Sequence, residues 1–233
     1  MMRNIQENKL LFIDIETCGA YATLNELEEN NIILFNLWNK MGDSYFKRHY
    51  PEDVRMSDGE LFKKYSGLLP EFGRIVCVSV GFINEGERKI QSFTKGSEKD
   101  ILEEVVNLLN RIYKLGFSLC GHNIKNFDLP YLGKRMLINK IKPSLIMPSH
   151  DTKPWEIKAL DTKELWNFGS YKGLSSLHLV CGVLGLDTPK EGKVDGANIH
   201  KSYYNDNNIS EIKEYCEKDV SALMDIIMHI KSL

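Results

Sequence analysis

No stretch of this sequence approaches the ~20 consecutive apolar residues that a bilayer-spanning helix needs. The opening residues, MMRNIQENKL, hold no apolar segment of a secretory leader. A cytoplasmic protein without a membrane partner is therefore expected. Cysteine is sparse: Cys18, Cys77, Cys120, Cys181 and Cys216 lie far apart with no C-x-x-C pair. That spacing excludes a disulfide framework and a clustered zinc site and points to reduced, buried thiols. A large excess of either charge is also missing. Lys and Arg number 30 against 32 Asp and Glu, a formal net charge of −2, which is not the profile of a protein that holds nucleic acid by charge alone. Positive charge for such a ligand would have to be local, from a patch or from bound metal. Internal repeats and low-complexity tracts are absent.

What is present is an ordinary globular mixture, 42% hydrophobic and 27% charged over 233 residues, long enough for one good α/β core. A single domain over residues 1–233 is expected. Residues 9–15 form a first strand. RIVCVSVGFI (74–83) is a second, apolar enough to be buried on both faces, and RKIQSFT (88–94) a more polar third, so a three-stranded meander is expected. The run from Ser97 to Gly116 is a helix, with Ser97 and Asp100 as a capping box and Ile101, Val105, Leu108, Leu109 and Ile112 as its apolar face. FSLCGHN (117–123) is a fourth strand, and a helix opens at FDLP with Asp128 and Pro130 in its first turn. EIKALDTKELW (156–166) is a fifth strand running into a helix, and residues 173–186 and 209–232 are helices. Two segments lie outside this plan. Residues 20–72 separate two strands that a short turn could join, and they read as a partly helical insertion at one end of the sheet. Residues 187–208 are polar and turn-rich, which predicts a surface loop.

Asp14 and Glu16 are the first anomaly. They stand two apart on and just after an apolar strand, so both carboxylates leave the same face, and carboxylates there are costly to desolvate unless something pairs with them. The last helix repeats the problem. Asp219 falls on the apolar stripe of Ile212, Cys216, Leu223, Ile227 and Ile230, and Tyr215 shares its face four residues earlier. Asp128 lies at a strand-to-helix junction. Taken singly, these are also a strand-end pair, a helix N-cap, a helix-surface acid and a filler tyrosine. Together they sit, in order, on elements that can meet at one end of a sheet. Carboxylates ~4 Å apart repel by roughly 4 kcal/mol per pair at an effective dielectric of 20, so such a cluster persists by protonation or by holding cations. Oxygen donors without His or Cys favour magnesium or manganese. Two such ions ~3.5–4 Å apart suit in-line attack on a phosphodiester.

Three segments now fall into a known pattern. DIET (14–17), GHNIKNFDLPYL (121–132) and YCEKDV (215–220) resemble the three exonuclease motifs of the DEDD superfamily, and Tyr215 places the resemblance in its DEDDy branch. The similarity is to the 3′→5′ proofreading exonuclease domain of family B DNA polymerases, and YKGLSSLHLVCGVLGL (171–186) resembles the segment between its second and third motifs. It covers about residues 8–19 and 73–232. It implies a ribonuclease-H-like α/β fold, a mixed five-stranded sheet flanked by helices, here with the partly helical insertion between strands 1 and 2. It implies two Mg2+ or Mn2+ ions, one held by Asp14, Glu16 and Asp219, with Asp14 bridging to a second that Asp128 supports. Tyr215 would orient the attacking water, and Asn123 and Phe127 would contact the terminal nucleotide, Phe127 by stacking.

The implied activity is metal-dependent 3′→5′ hydrolysis at single-stranded DNA ends, releasing nucleoside 5′-monophosphates, in repair, turnover or proofreading. An exoribonuclease of the same superfamily and a catalytically silent nucleic-acid-binding module are the rival readings. The chain has no room for a polymerase domain, so a free-standing nuclease or a subunit serving a polymerase or repair partner in trans is expected. The insertion leaves from the strand end carrying Asp14 and Glu16. It is expected beside the active site, and with Phe35, Trp38, Tyr45 and Phe46 in it to form a wall or lid over the substrate groove. The basic residues at 111, 114, 125, 134, 135, 140 and 142 read either as a backbone-binding face or as solvated helix surface. His122 reads as a satisfied strand-end histidine and Asp161 as a helix N-cap.

Overall fold

A computed structural model describes residues 6–53, 55–170, 175–188 and 196–233. Its centre is a five-stranded sheet in the order β3-β2-β1-β4-β5, built from β1 (Leu10–Gly19), β2 (Gly73–Asn84), β3 (Glu87–Phe93), β4 (Ser118–Gly121) and β5 (Ala159–Asp161). The meander β1-β2-β3 is antiparallel, and β4 and β5 add parallel to β1 on the other side. The sheet is therefore mixed, as expected. β1 runs four residues beyond its expected end because pairing with β2 continues to Gly19↔Gly73.

Strand alternation sorts β1 between two cores. Leu11, Ile13 and Ile15 pack with Val105, Leu109, Leu129 and Leu132, under α4 (Glu98–Lys114) and α5 (Asp128–Ile138). Leu10 and Phe12 face the other way, onto Val220, Leu223 and Ile227 of α9 (Ile209–Ser232). α4 starts with the expected capping box between Ser97 and Asp100. A buried ion pair ties α4 to α5: the Arg135 guanidinium donates to both Glu98 oxygens at 2.8 and 2.5 Å. Glu98 also accepts the Ile75 backbone N–H at 2.8 Å, and Arg135 donates to the Pro70 carbonyl at 2.9 Å.

The insertion closes on itself where it leaves the sheet, with Ala20 N–H donating to the Phe72 carbonyl at 2.9 Å. It holds α1 (Leu24–Asn30), α2 (Ile32–His49) and α3 (Asp58–Tyr65). These bury an apolar centre of Leu27, Trp38, Phe46, Phe62, Tyr65 and Phe72. Trp38 meets Phe62 and Phe72 edge-on, with ring centroids 5.0 and 5.1 Å away. This corrects the expected role of Trp38 and Phe46. Trp38 and Phe46 are buried in this centre, and Phe35 and Tyr45 pack against it. The insertion needs them to form a core of its own, so Trp38 and Phe46 present no surface to a substrate groove.

α6 (Thr162–Asn167) follows β5, and α7 (Leu177–Leu184) occupies the helix expected over 173–186. Positions 173 and 174 of that helix lie outside the described residues, as does the 189–195 part of the expected surface loop. The rest of that loop contains α8 (Ile199–Tyr204). Ile199 is buried against Cys18, Val76, Ile212 and Cys216. Six residues are too few for helical periodicity to register in a sequence, and tertiary packing holds this turn. Among the described residues no helix is long and apolar enough to cross a membrane.

Candidate active site

The face of β1 that carries Leu10 and Phe12 continues to Asp14 and Glu16. α9 runs antiparallel over it. Ile227, Leu223 and Val220 cover the apolar half of that face, and one turn nearer the helix start Asp219 and Cys216 reach the acidic half. Asp219 thus occupies a core-facing position because the helix continues straight past the point where the strand turns polar. Asp128 arrives from the other side. The parallel pairing of β1 with β4 ends at Phe12↔Cys120, and beyond it the Ile15 backbone N–H lies near enough to the Asp128 carboxylate to favour its charge. Glu16, Asp128 and Asp219 are only 6, 4 and 8% exposed.

These placements charge the end of the sheet heavily. Burial raises the Asp14 carboxyl well above the usual range, and the charges of Asp219, Glu16 and Asp128 raise it further. Glu16 is raised in the same way by burial, then by Asp219, Cys77 and Asp128. Asp128 is pushed up to about 7 by burial, with Asp161 and Asp219 adding to it, although the N–H groups of Ile15 and of Asp128 itself oppose the shift. Four carboxyls on three separate elements therefore act on one another. Desolvation together with like-charge neighbours is the environment in which acids either keep their protons or take up cations. Ligand atoms of Asp14, Glu16 and Cys216 lie within 4.8 Å of one another. Burial raises the Cys216 thiol strongly, so at neutral pH it stays protonated and donates to Asp14 Oδ2 at 3.3 Å. Tyr215 is partly buried beside the cluster. Burial and then the charges of Asp219, Glu16 and Asp14 raise its hydroxyl, which is therefore neutral at physiological pH.

A family model described as a predicted 3′-5′ exonuclease related to the exonuclease domain of PolB matches residues 68–227, more than half of the chain. The chain belongs to this exonuclease family. The match spans Asp128, Tyr215 and Asp219 and begins after Asp14 and Glu16, which the fold brings to the same place. Among solved structures, the family B DNA polymerase from the hyperthermophilic archaeon Pyrobaculum calidifontis superposes with a TM-score of 0.56 at 13% identity. The similarity covers 94% of this chain and 24% of the polymerase chain. At that identity it establishes the fold, the ribonuclease-H-like arrangement. No protein of curated function matches the sequence significantly.

The loop from β4 to α5 carries the other two expected residues of this exonuclease site. Asn123 sits in the left-handed region at φ 61°, and its carbonyl accepts from the N–H groups of Asn126 and Phe127, both at 3.0 Å. Asp161, expected only as an N-cap, caps α6 through the Lys163 N–H at 2.9 Å. It also accepts from the N–H groups of Asn123 at 2.8 Å and Lys125 at 3.3 Å. It is the latch that holds this loop, and sequence spacing alone does not distinguish that duty from simple capping. The Asn123 side chain meets Lys163 Nζ at 3.4 Å, and Phe127 is half-buried against Tyr131, ring centroids 5.4 Å apart. His122 is satisfied as expected, bonded to Thr162 Oγ1 at 2.9 Å and to the Ser175 carbonyl at 2.5 Å.

The insertion reaches the site through its last residues. A cleft of ≈130 Å³ is lined by Glu16, Thr17, Lys63, Leu68, Phe127 and His200, among others. His200 of α8 accepts from the Gly19 N–H at Nδ1, 3.2 Å, and its Nε2 lies 3.0 Å from the Ala22 carbonyl. Both bonds suit the neutral tautomer with its proton on Nε2, and burial lowers this histidine accordingly. The expected basic face is not continuous. Lys125 pairs with Glu164 at 2.6 Å, Lys134 with Glu71 at 2.9 Å, and Arg135 is buried on Glu98.

Proposed function

We propose that the chain is a single-domain, divalent-metal-dependent 3′→5′ exonuclease that removes nucleoside 5′-monophosphates from single-stranded DNA ends. The observation that carries this reading is the convergence of Asp14, Glu16, Asp128 and Asp219 from β1, α5 and α9 into one desolvated cluster whose members raise one another. Such a set of hard oxygen donors fits Mg2+ or Mn2+. Asp14, Glu16 and Asp219 would hold one ion, and Asp14 with Asp128 a second. When bound, the ions polarise the scissile phosphodiester and make water at the site more acidic.

The protein's own groups then have distinct tasks. Tyr215, neutral because its hydroxyl is raised, aligns the attacking water by hydrogen bonding and does not abstract its proton. The Cys216 thiol holds Asp14 Oδ2 in place. Asp161 fixes the loop from which Asn123 and Phe127 meet the terminal nucleotide. DNA is favoured over RNA by the relation to PolB. A polymerase or repair enzyme is the partner that the relation to the PolB exonuclease domain favours. Five free, buried thiols suit a reducing, cytoplasmic setting.

The test is hydrolysis of 5′-labelled single-stranded DNA and RNA by pure protein in Mg2+ or Mn2+, beside EDTA controls and closed circles. Shortening by single nucleotides from a free 3′ end, with circles and EDTA samples intact, is expected. Cleavage of circles, or full activity in EDTA, would overturn the reading.

A further inference from the structure

The insertion supplies more than a neighbour to the site. Its last turn, Ser66–Leu68, is fastened to the strand that carries Asp14 and Glu16. The Gly67 carbonyl accepts from Thr17 Oγ1 at 2.7 Å and from the Tyr131 hydroxyl at 2.9 Å. A Cβ on Gly67 would come within 2.9 Å of the Cys18 Cα, so the two backbones touch. The Leu69 carbonyl on the far side accepts from the N–H groups of Phe72 and Gly73 at 2.9 and 2.8 Å. Held at both ends, this turn cannot move away from the acidic cluster. Yet it keeps Leu68 46% exposed, on the lip of the cleft shared with Glu16 and Phe127.

An exposed leucine held rigidly beside buried carboxylates offers an apolar surface to a ligand that enters the cleft. A nucleobase is flat and apolar on both faces, and the cleft has room for little more than one ring system. Charge on the same wall fits the rest of a nucleotide. Of the two lysines there, Lys64 is taken up by Asp53, whereas Lys63 is exposed and lines the cleft. Its charge reaches far enough in to disfavour protonation of His200.

We propose that the end of the insertion is the second wall of the slot for the terminal nucleotide, with Leu68 closing on the base together with Phe127 and Lys63 holding the adjoining phosphate. This rests on the exonuclease reading and adds to it a recognition element outside the three acidic motifs. Because Leu68 and Phe127 offer the base only apolar surface, recognition by Leu68 is indifferent to base identity but requires a base.

The experiment compares wild type, Leu68→Ala, Leu68→Met and Lys63→Gln on single strands whose terminal 3′ position is either 2-aminopurine or abasic. Binding is measured in EDTA by fluorescence anisotropy of a 5′ dye and by 2-aminopurine quenching, and hydrolysis is measured in Mg2+. Leu68→Ala should weaken binding of the base-bearing end by about tenfold, the order expected for losing part of one leucine's apolar contact, and lose the quenching. It should leave the abasic end bound as by wild type, and Leu68→Met should restore both. Lys63→Gln should lower the slope of log K against log salt by about 0.7, the value for one phosphate contact on a single strand. Equal losses on base-bearing and abasic ends, or unaltered quenching in Leu68→Ala, would overturn the wall while wild-type hydrolysis leaves the exonuclease reading standing. A wild type that neither binds nor shortens these strands would remove both.

Discussion

Without metal, the acidic cluster should make the protein less stable as pH rises through neutrality. Asp128 titrates at about 7 in the folded chain, whereas a carboxyl of an unfolded chain loses its proton near pH 4. Between those values the folded state carries a proton that the unfolded state lacks. Unfolding then releases it, and stability falls with rising pH across this window. A gap of about three pH units corresponds to ~4 kcal/mol. Asp14 and Glu16 are raised in the same direction and steepen the fall. His122 and His200, both lowered by burial, act oppositely, since below about pH 6.5 the unfolded chain takes up protons that these buried rings refuse.

The perturbation that isolates Asp128 is therefore Asp128→Asn, which keeps the shape of the side chain and removes the charge. In EDTA at pH 7.5 it should be more stable than wild type by up to ~4 kcal/mol. At about 2–4 °C per kcal/mol for a chain of this size, that is a rise in Tm of roughly 10 °C. At pH 5 the difference should shrink to about 1.4 kcal/mol, and below about pH 4 it should vanish, because the carboxyl is then protonated in the unfolded chain as well. Mg2+ or Mn2+ should reverse the order at pH 7.5 by stabilising the wild type more. Thermal or urea unfolding across pH 5–8, with and without metal, reads all of this. A variant no more stable than wild type at pH 7.5 in EDTA, or a difference that does not change with pH, would refute the electrostatic account of the site.

Asp14→Ala should lower turnover by well over tenfold in Mg2+, more than ~1.4 kcal/mol of barrier stabilisation, while circular dichroism reports an intact fold; a variant keeping a tenth of wild-type turnover would remove Asp14 from the site. Tyr215→Phe should slow single-turnover hydrolysis by a factor on the order of 10 to 1000, less than Asp219→Ala does, and leave the strand-binding constant unchanged. A loss that resides in binding would deny it the water-aligning task. Arg135→Met should destabilise the protein by about 3 kcal/mol, because Glu98 stays buried with its charge uncompensated; urea unfolding showing less than 1 kcal/mol would make that pair dispensable.

The sequence was most legible where burial conflicts with charge. Asp14, Glu16 and Asp219 stand out because a two-residue and a 3.6-residue period place them on surfaces that are otherwise apolar. The same periods explain why β1-β2-β3 and α9 could be read with nearly correct bounds. Asp161 was harder, because one carboxylate both caps α6 and latches the 123–125 backbone, and capping alone accounts for its place in the chain. α8 was missed for a related reason. Its anchors, Ile199 in a core shared with Cys18 and the Tyr204 hydroxyl on the Gly19 carbonyl at 2.9 Å, are made with residues some 180 positions away.

The insertion shows what position in the chain alone does not reveal. Phe35, Trp38, Tyr45 and Phe46 promised a hydrophobic wall for substrate, since large aromatics beside an active site suit bases. A segment of some fifty residues, however, must bury apolar surface of its own before it can hold any shape, and its aromatics are the residues that do so. What remains to face the site is the part fixed by backbone contacts: a glycine too close to Cys18 to bear a side chain, one carbonyl with two donors, and the leucine that follows it. Such contacts leave almost no signature in composition. The aromatics make the insertion rigid, and that rigidity is what allows an ordinary leucine to be held beside the buried carboxylates.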